Sequence, residues 1–168
     1  GVQMVPMSLR ILAPPTSDTS EAPSLVLQCD ARKYMFNVGE GTTRVSAQHR
    51  ASNMRVDHIF LTRVASETMG GIPGLLMTLA DGGRGSIDIH APPNLLYALA
   101  ATRLYARRDT MALNAHEIEV REPHVCYQDE YVQIHSVPLV PAQHRSLYTD
   151  IAEKGPALDV KAQLSSPK

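Results

Sequence analysis

The stretch from Val56 to Thr62 carries Ile59, Phe60 and Leu61 in an unbroken apolar run. A strand with one wet face alternates apolar and polar residues. A continuous run needs cover on both faces, as in the middle of a layered sheet. Glycine clusters stand on either side of it, Gly39-Glu40-Gly41-Thr42 before and Gly70-Gly71-Ile72-Pro73-Gly74 after. Each marks a break from extended chain into a predicted helix, Thr43 to Ala51 for the first and Leu75 to Ala80 for the second. Gly71 and Gly74 are expected to sit where backbone geometry excludes a side chain.

The flanks fit the same plan. Ser8 to Ala13 reads as a strand ended by Pro14-Pro15, and Thr16 to Pro23 as turn. Ser24 to Gln28 and Lys33 to Val38 read as a hairpin around Cys29-Asp30-Ala31-Arg32. Downstream, Asp81 to Gly85 is a glycine-rich loop, Ile87 to His90 a strand, and Pro93 to Arg107 a helix with proline in its first turn. Leu95, Leu96, Leu99 and Leu104 of that helix are expected core contacts. Glu117 to Arg121 and Tyr131 to Val137 read as further strands. Strands first, then helix and strand in alternation, indicate an α/β layered domain with a mixed sheet over 1–139. From Val140 to Lys168 the periodicity fades, and this part reads as loop or marginal helix, with a short helix near Leu158 to Leu164.

With 168 residues, 43 % of them hydrophobic, the chain holds enough material for one buried core. The longest apolar run, Ile72 to Ala80, falls well short of the ~20 residues that span a bilayer. No basic-then-apolar stretch opens the chain, so no secretory signal is read. Net charge is −1, which makes the chain as a whole no electrostatic magnet for nucleic acid. Cys29 and Cys126 form no CxxC pattern and suit a reducing compartment.

The segment Asp57-His58-Ile59-Phe60-Leu61-Thr62, followed by Gly71-Ile72-Pro73-Gly74, resembles the strand-to-helix junction of tRNase Z, a metallo-β-lactamase-fold phosphodiesterase. In active members the residues after that Thr read His-x-His-x-Asp-His, then two residues, then Gly-Leu-Pro-Gly. Here the slots hold Arg63, Ala65, Glu67 and Thr68. The frame is kept and the metal ligands are gone, as in the amino-terminal half of the long form. Tyr34-Met35-Phe36-Asn37-Val38-Gly39-Glu40-Gly41 is similar to the family's Tyr-Leu-Phe-Asn-x-Gly-Glu-Gly signature. Thr16 to Ser20 resembles the loop after its first strand, and Pro123-His124, Tyr127, Asp129-Glu130 and Val132 resemble its hairpin. At Ala13-Pro14-Pro15 the chain departs from the family's glycine-rich turn.

The resemblance implies a metallo-β-lactamase-like layered αββα domain, half of a pseudo-dimeric two-domain protein. It implies a non-catalytic domain of a tRNA 3′-processing endoribonuclease, inactive alone, that supports a catalytic carboxy-terminal half. Zinc is then expected in that other half and no cofactor in this chain. The implied partners are the carboxy-terminal half and precursor tRNA, and the implied residence is nuclear or mitochondrial. Residues 140–168 would begin the connection to the family's tRNA-binding arm. The alternative is a stand-alone protein-interaction scaffold descended from a hydrolase of this fold.

The residues agree with an inactive site. Two zinc ions that make a hydroxide and clamp a phosphate need converging imidazoles and carboxylates. Arg63 repels a metal, Ala65 offers nothing, and Glu67 is expected to pair with Arg63. His49, His58, His90, His116, His124, His135 and His144 form no HxH or HxxxH. His58 is expected to hydrogen-bond locally, while His90 and His135 lie on predicted strands with no sign of meeting. Cys126 reads as an inert thiol. Gly39-Glu40-Gly41-Thr42 has two readings: amides that hold a phosphate, or a tight turn capped by Thr42; the turn is favoured. Arg103 and Arg107 share a helix face that either contacts RNA phosphate or is simply solvated.

Overall fold

The computed structural model describes residues 6–13, 22–30, 32–48, 55–103, 110–119, 121–139 and 157–163. The Thr16 to Ser20 loop, Arg107, His49, His144 and the expected connection through 140–156 lie outside the described residues.

Two sheets are present. The larger has six strands in chain order: β1 (Met7–Ala13), β2 (Ser24–Cys29), β3 (Arg32–Phe36), β4 (His58–Phe60), β5 (Ser86–Ala91) and β6 (Ala112–Glu117). Neighbours are antiparallel from β1 to β3 and parallel from β3 to β6. Each parallel step needs a crossover: α1 (Thr42–Gln48), then α2 (Ser66–Met69) with α3 (Ile72–Asp81), then α4 (Leu95–Thr102). Crossovers share a right hand, and these strands advance in one direction, so all the helices fall on one face. The smaller sheet, β7 (His124–Gln128), β8 (Gln133–Leu139) and β9 (Ala157–Gln163), is antiparallel and covers the other face.

Strand alternation divides the core accordingly. Met35, Ile59, Ile87 and Ile89 point to the helix side and pack with Ile72, Leu75, Leu79, Leu95 and Leu99. Tyr34, Phe36 and Phe60 point the other way and pack with Leu27, Cys29, Val132 and Ile134. Ile59, Phe60 and Leu61 are all fully buried. The unbroken run is therefore apolar because β4 is buried on both faces, as its pattern predicts.

Several boundaries move. The strand expected at Val56 to Thr62 pairs only over His58–Phe60. The helix expected from Leu75 begins at Ile72, with Pro73 in its first turn. The helix expected to run from Pro93 is assigned from Leu95 to Thr102. The strand expected at Glu117 to Arg121 is instead Ala112–Glu117. Ile118, just past its end, is buried, and its N–H donates to the Ala91 carbonyl at 2.7 Å. β6 itself is an edge strand with few apolar residues, so its pattern is faint. The short helix expected near Leu158 to Leu164 is also corrected: 157–163 is a strand, paired to β8 from Gln133↔Gln163 to Leu139↔Ala157. Leu158, Val160 and Ala162 alternate with Asp159 and Lys161, a period of two that suits the open edge of β8.

Gly71 is the closest backbone approach. A Cβ there would stand 2.2 Å from the Gly39 carbonyl oxygen, a contact no side chain survives. Gly74 differs from expectation, because a Cβ there meets only Thr43 Oγ1, at 4.0 Å, within helical backbone. Gly71→Ala is expected to lower stability by more than about 2 kcal/mol, the scale of overpacking. Gly74→Ala is expected to leave it unchanged or raise it by up to about 1 kcal/mol. Urea unfolding of the two variants checks this, and equal destabilisation would contradict it.

Candidate functional site

The glycine-marked junctions after β3 and β4 lie against each other. Asn37, at φ 55°, ends β3. Its Oδ1 accepts from the Thr62 N–H at 3.0 Å and the Thr62 hydroxyl at 3.1 Å, tying the two strand ends together. The Val38 N–H donates to the Thr68 carbonyl at 2.7 Å, and the Gly71 N–H to the Val38 carbonyl at 2.8 Å. Ser24, Gly39 and Thr42 close a ring. The Gly39 N–H donates to Ser24 Oγ at 3.2 Å, and the Thr42 hydroxyl donates to the Gly39 carbonyl at 2.7 Å. Thr42 has spent its one proton, so the Ser24 hydroxyl donates to Thr42 Oγ1 at 3.1 Å. The Thr42 N–H also turns to the Gly39 carbonyl. Of the four amides in Gly39-Glu40-Gly41-Thr42, that of Gly39 is thus committed to Ser24 of β2 and that of Thr42 to the turn itself, and Gly41 sits at φ 78°. The segment forms a tight turn, with Glu40 exposed at its apex.

The four slots after Thr62 fall on this junction. Arg63 is exposed, Ala65 half-buried without a donor, and Thr68 fully buried. The Thr68 hydroxyl lies 2.7 Å from the Arg63 carbonyl and 3.0 Å from that of Ala65. It therefore locks the turn into α2. The expected Arg63–Glu67 pair is not formed; the Ser66 hydroxyl donates to the Glu67 carboxylate at 3.4 Å instead. A zinc pair needs convergent imidazole and carboxylate donors, and these residues supply one carboxylate beside a cation. They do not fit a metal centre. No group of three or more metal-ligating side chains occurs elsewhere among the described residues.

A polar network lies between the sheets. Asp129 accepts from the Tyr34 hydroxyl, from the Tyr127 hydroxyl at 2.9 Å, and from the amides of Tyr131 at 2.8 Å and Val132 at 2.9 Å. Burial alone would raise this carboxyl, yet those donors, Tyr34 foremost, hold it below its ordinary value. Burial and Asp129 in turn push both tyrosine hydroxyls up, so they stay protonated as donors. With its proton on Asp129, Tyr127 accepts from His58 Nε2 at 2.9 Å. His58 Nδ1 is then bare and accepts from His90 Nε2 at 3.4 Å, which fixes the neutral tautomer of each imidazole. His90 stacks on Phe60 at 4.5 Å and on His116 at 4.6 Å, and His116 meets Asp88 at 2.8 Å. His58 therefore bonds across the sandwich rather than locally, and His90 meets His58, not His135. Sequence reasoning missed this assembly because His58, His90 and His116 become neighbours only through parallel pairing, His90↔Phe60 and His90↔His116.

The remaining candidates are spread out. Arg103 is exposed past the end of α4, at the rim of a groove of about 360 Å³ lined by Leu76, Leu96, Leu99, Met111 and Leu113. Cys126 is half-buried with its thiol near the Ile134 carbonyl, and burial pushes it up to about 11.

Burial, then the His116 and His58 imidazoles beside it, lowers His90 from 6.5 to about 3. Burial also lowers His58. The unfolded chain thus takes up protons that the folded chain refuses. Stability is full above the unfolded value of 6.5 and is lost as pH falls toward about 3. His90→Phe, which keeps a ring between Phe60 and His116, is expected to flatten this dependence. Urea midpoints at about pH 7 and about pH 5 measure it; equal slopes for variant and parent would contradict it.

Residues 10–71 match the family model described as tRNase Z endonuclease. The chain is 39 % identical over 146 residues to the mitochondrial tRNase Z TRZ4 of Arabidopsis thaliana, covering 76 % of this chain and 15 % of the relative. Among solved structures it is similar to a long-form RNase Z from yeast, with TM-score 0.69 and 27 % identity over 80 % of this chain and 18 % of that one. It also shares the fold of the metallo-β-lactamase fold protein YhfI from Bacillus subtilis, at TM-score 0.64 and 8 % identity over 95 % of this chain and 58 % of that one. The chain spans about 15 % of the length of that curated relative. Sequence signature, sheet order and these similarities agree: the chain has the metallo-β-lactamase fold and belongs to the tRNase Z family, as a counterpart of the amino-terminal half of the long form.

Proposed function

We propose that this chain is the non-catalytic part of a tRNA 3′-processing endoribonuclease, one that removes 3′ trailers from precursor tRNA. In this reading the carboxy-terminal half holds the zinc and cuts, and the present chain docks against it and completes the substrate-binding surface. The observation that carries the reading is the junction after β4. Its frame is intact, with Asn37 holding Thr62 and Gly71 pressed on Gly39. Its side chains have turned to structural work, Thr68 bonding the Arg63 and Ala65 carbonyls. A site that kept its frame and lost its donors has been held for shape, and shape is what a docking partner supplies. The name of the Arabidopsis relative supports mitochondrial residence, and nuclear residence is the further expectation of the resemblance.

Glu67→Gln in the full-length protein isolates the one carboxylate left in the slots. It is expected to leave cleavage of a 3′-extended precursor tRNA within about twofold of the parent, since no reacting group depends on it. A fall in kcat of several orders of magnitude would mean that this junction takes part in the chemistry.

A further inference from the structure

Four rings stand side by side on the inner face of the larger sheet, one on each strand from β3 to β6. Phe36 is the register partner of Phe60, Phe60 of His90, and His90 of His116. Their centroids are 5.4, 4.5 and 4.6 Å apart, and neighbouring planes are inclined by 24°, 10° and 15°. The last two steps repeat the spacing of the strands themselves, ~4.8 Å. Each ring thus turns one face to the strand before it and the other to the strand after it.

The row is covered at one end and open at the other. Tyr127 of β7 lies against His58, Phe60 and His90, at 4.5, 5.6 and 5.4 Å. Phe60 is fully buried and His90 is 5 % exposed. One strand further out, the His116 side chain is 50 % exposed. Among the described residues β6 is the last strand of its sheet, so the outer face of the His116 ring has no further rung beside it. The ring is held all the same. Its Nε2 meets Asp88 Oδ1 at 2.8 Å, Asp88 is bonded in turn by the Asn114 side chain, and its inner face rests on His90. A ring already fixed in orientation loses little freedom when something stacks on it.

We propose that the outer face of His116 is a stacking platform for one unpaired base of RNA. It rests on the proposed part of this chain in tRNA processing, and adds which feature of the RNA this edge takes. Unpaired RNA bases stack on aromatic and histidine side chains and hydrogen-bond through their edges. Ala112 and Asn114 are exposed on the same face of β6, and with Asp88 they give the ring a flat polar margin. That margin suits the edge of a base better than an apolar protein side chain, since the core of a protein interface is apolar. It also suits a base better than backbone phosphate. His116 faces Asp88, and Arg121 is paired with Glu119 at 3.2 Å, so the charges here are matched rather than massed as a cationic groove. Stacking is then the main contribution, and it changes little with salt.

The test uses the full-length protein and a 3′-extended precursor tRNA. Ultraviolet crosslinking followed by peptide mass spectrometry is expected to place an RNA adduct on His116. Binding is then measured for the parent, His116→Ala and His116→Phe. His116→Ala is expected to bind at least about fivefold more weakly, by the same factor at low and at physiological salt. His116→Phe keeps a ring face, loses the bond to Asp88, and is expected to restore parental binding. Parental binding by His116→Ala, weakened binding by both variants, or crosslinks that all miss residues 112–117 would overturn the platform and leave the wider reading standing, because the parent still binds. A parent that fails to bind the precursor would overturn both.

Discussion

Gly39 and Gly71 press backbone to backbone, and the arrangement of the loops around β4 depends on that contact. The Gly39 carbonyl lies where any side chain of residue 71 would have to begin. Because the two chains come this close, Val38 can exchange hydrogen bonds with Thr68 and Gly71, and α3 can start directly above the sheet. That start delivers Ile72, Leu75 and Leu79 to the helix-side core, all fully buried. The same approach sets the course of the four residues between Thr62 and Thr68. The junction is thus a structural clamp, set by backbone contact between its two turns.

Across β4 the logic is different. The helix side is a plain apolar core, while the side facing the smaller sheet mixes Phe36, Phe60 and Ile134 with Tyr34, Tyr127, His58, His90 and Asp129. Buried polar groups are tolerated only when satisfied, and here one carboxylate collects four donors. Each hydroxyl and ring nitrogen in the line from Asp129 to His90 has a single workable proton position. Such a network fixes how the sheets sit on each other more narrowly than apolar packing does, because a shifted register leaves a carboxylate or an imidazole unmatched.

How much was legible from the residues depended on whether the signal was local. Ile59-Phe60-Leu61 announced a strand buried on both faces, because burial dictates residue type directly. The two glycine clusters announced close junctions, and Gly71 is one; Gly74 looked alike in sequence yet lies on an exposed helix turn with room to spare. β6 was misplaced because it carries few apolar residues, and 157–163 was read as a helix because its short alternation takes the form of a strand only on β8's open ladder. The slots at Arg63, Ala65, Glu67 and Thr68 were readable only through the family resemblance, whereas the role of Thr68 as a lock, and the absence of an Arg63–Glu67 pair, needed coordinates. The histidine and tyrosine network was not readable at all, since its members come together only through parallel pairing and sheet-on-sheet contact.

The central claim is that this chain serves RNA cleavage without performing it. Cleavage of a 3′-extended precursor tRNA tests it most directly, with zinc or manganese added, by this chain alone, by the carboxy-terminal half alone, and by the two together. The account predicts no cleavage by this chain and more cleavage by the pair than by the carboxy-terminal half alone. Metal-dependent cleavage by this chain alone would contradict it, and so would a carboxy-terminal half that gains nothing from its presence.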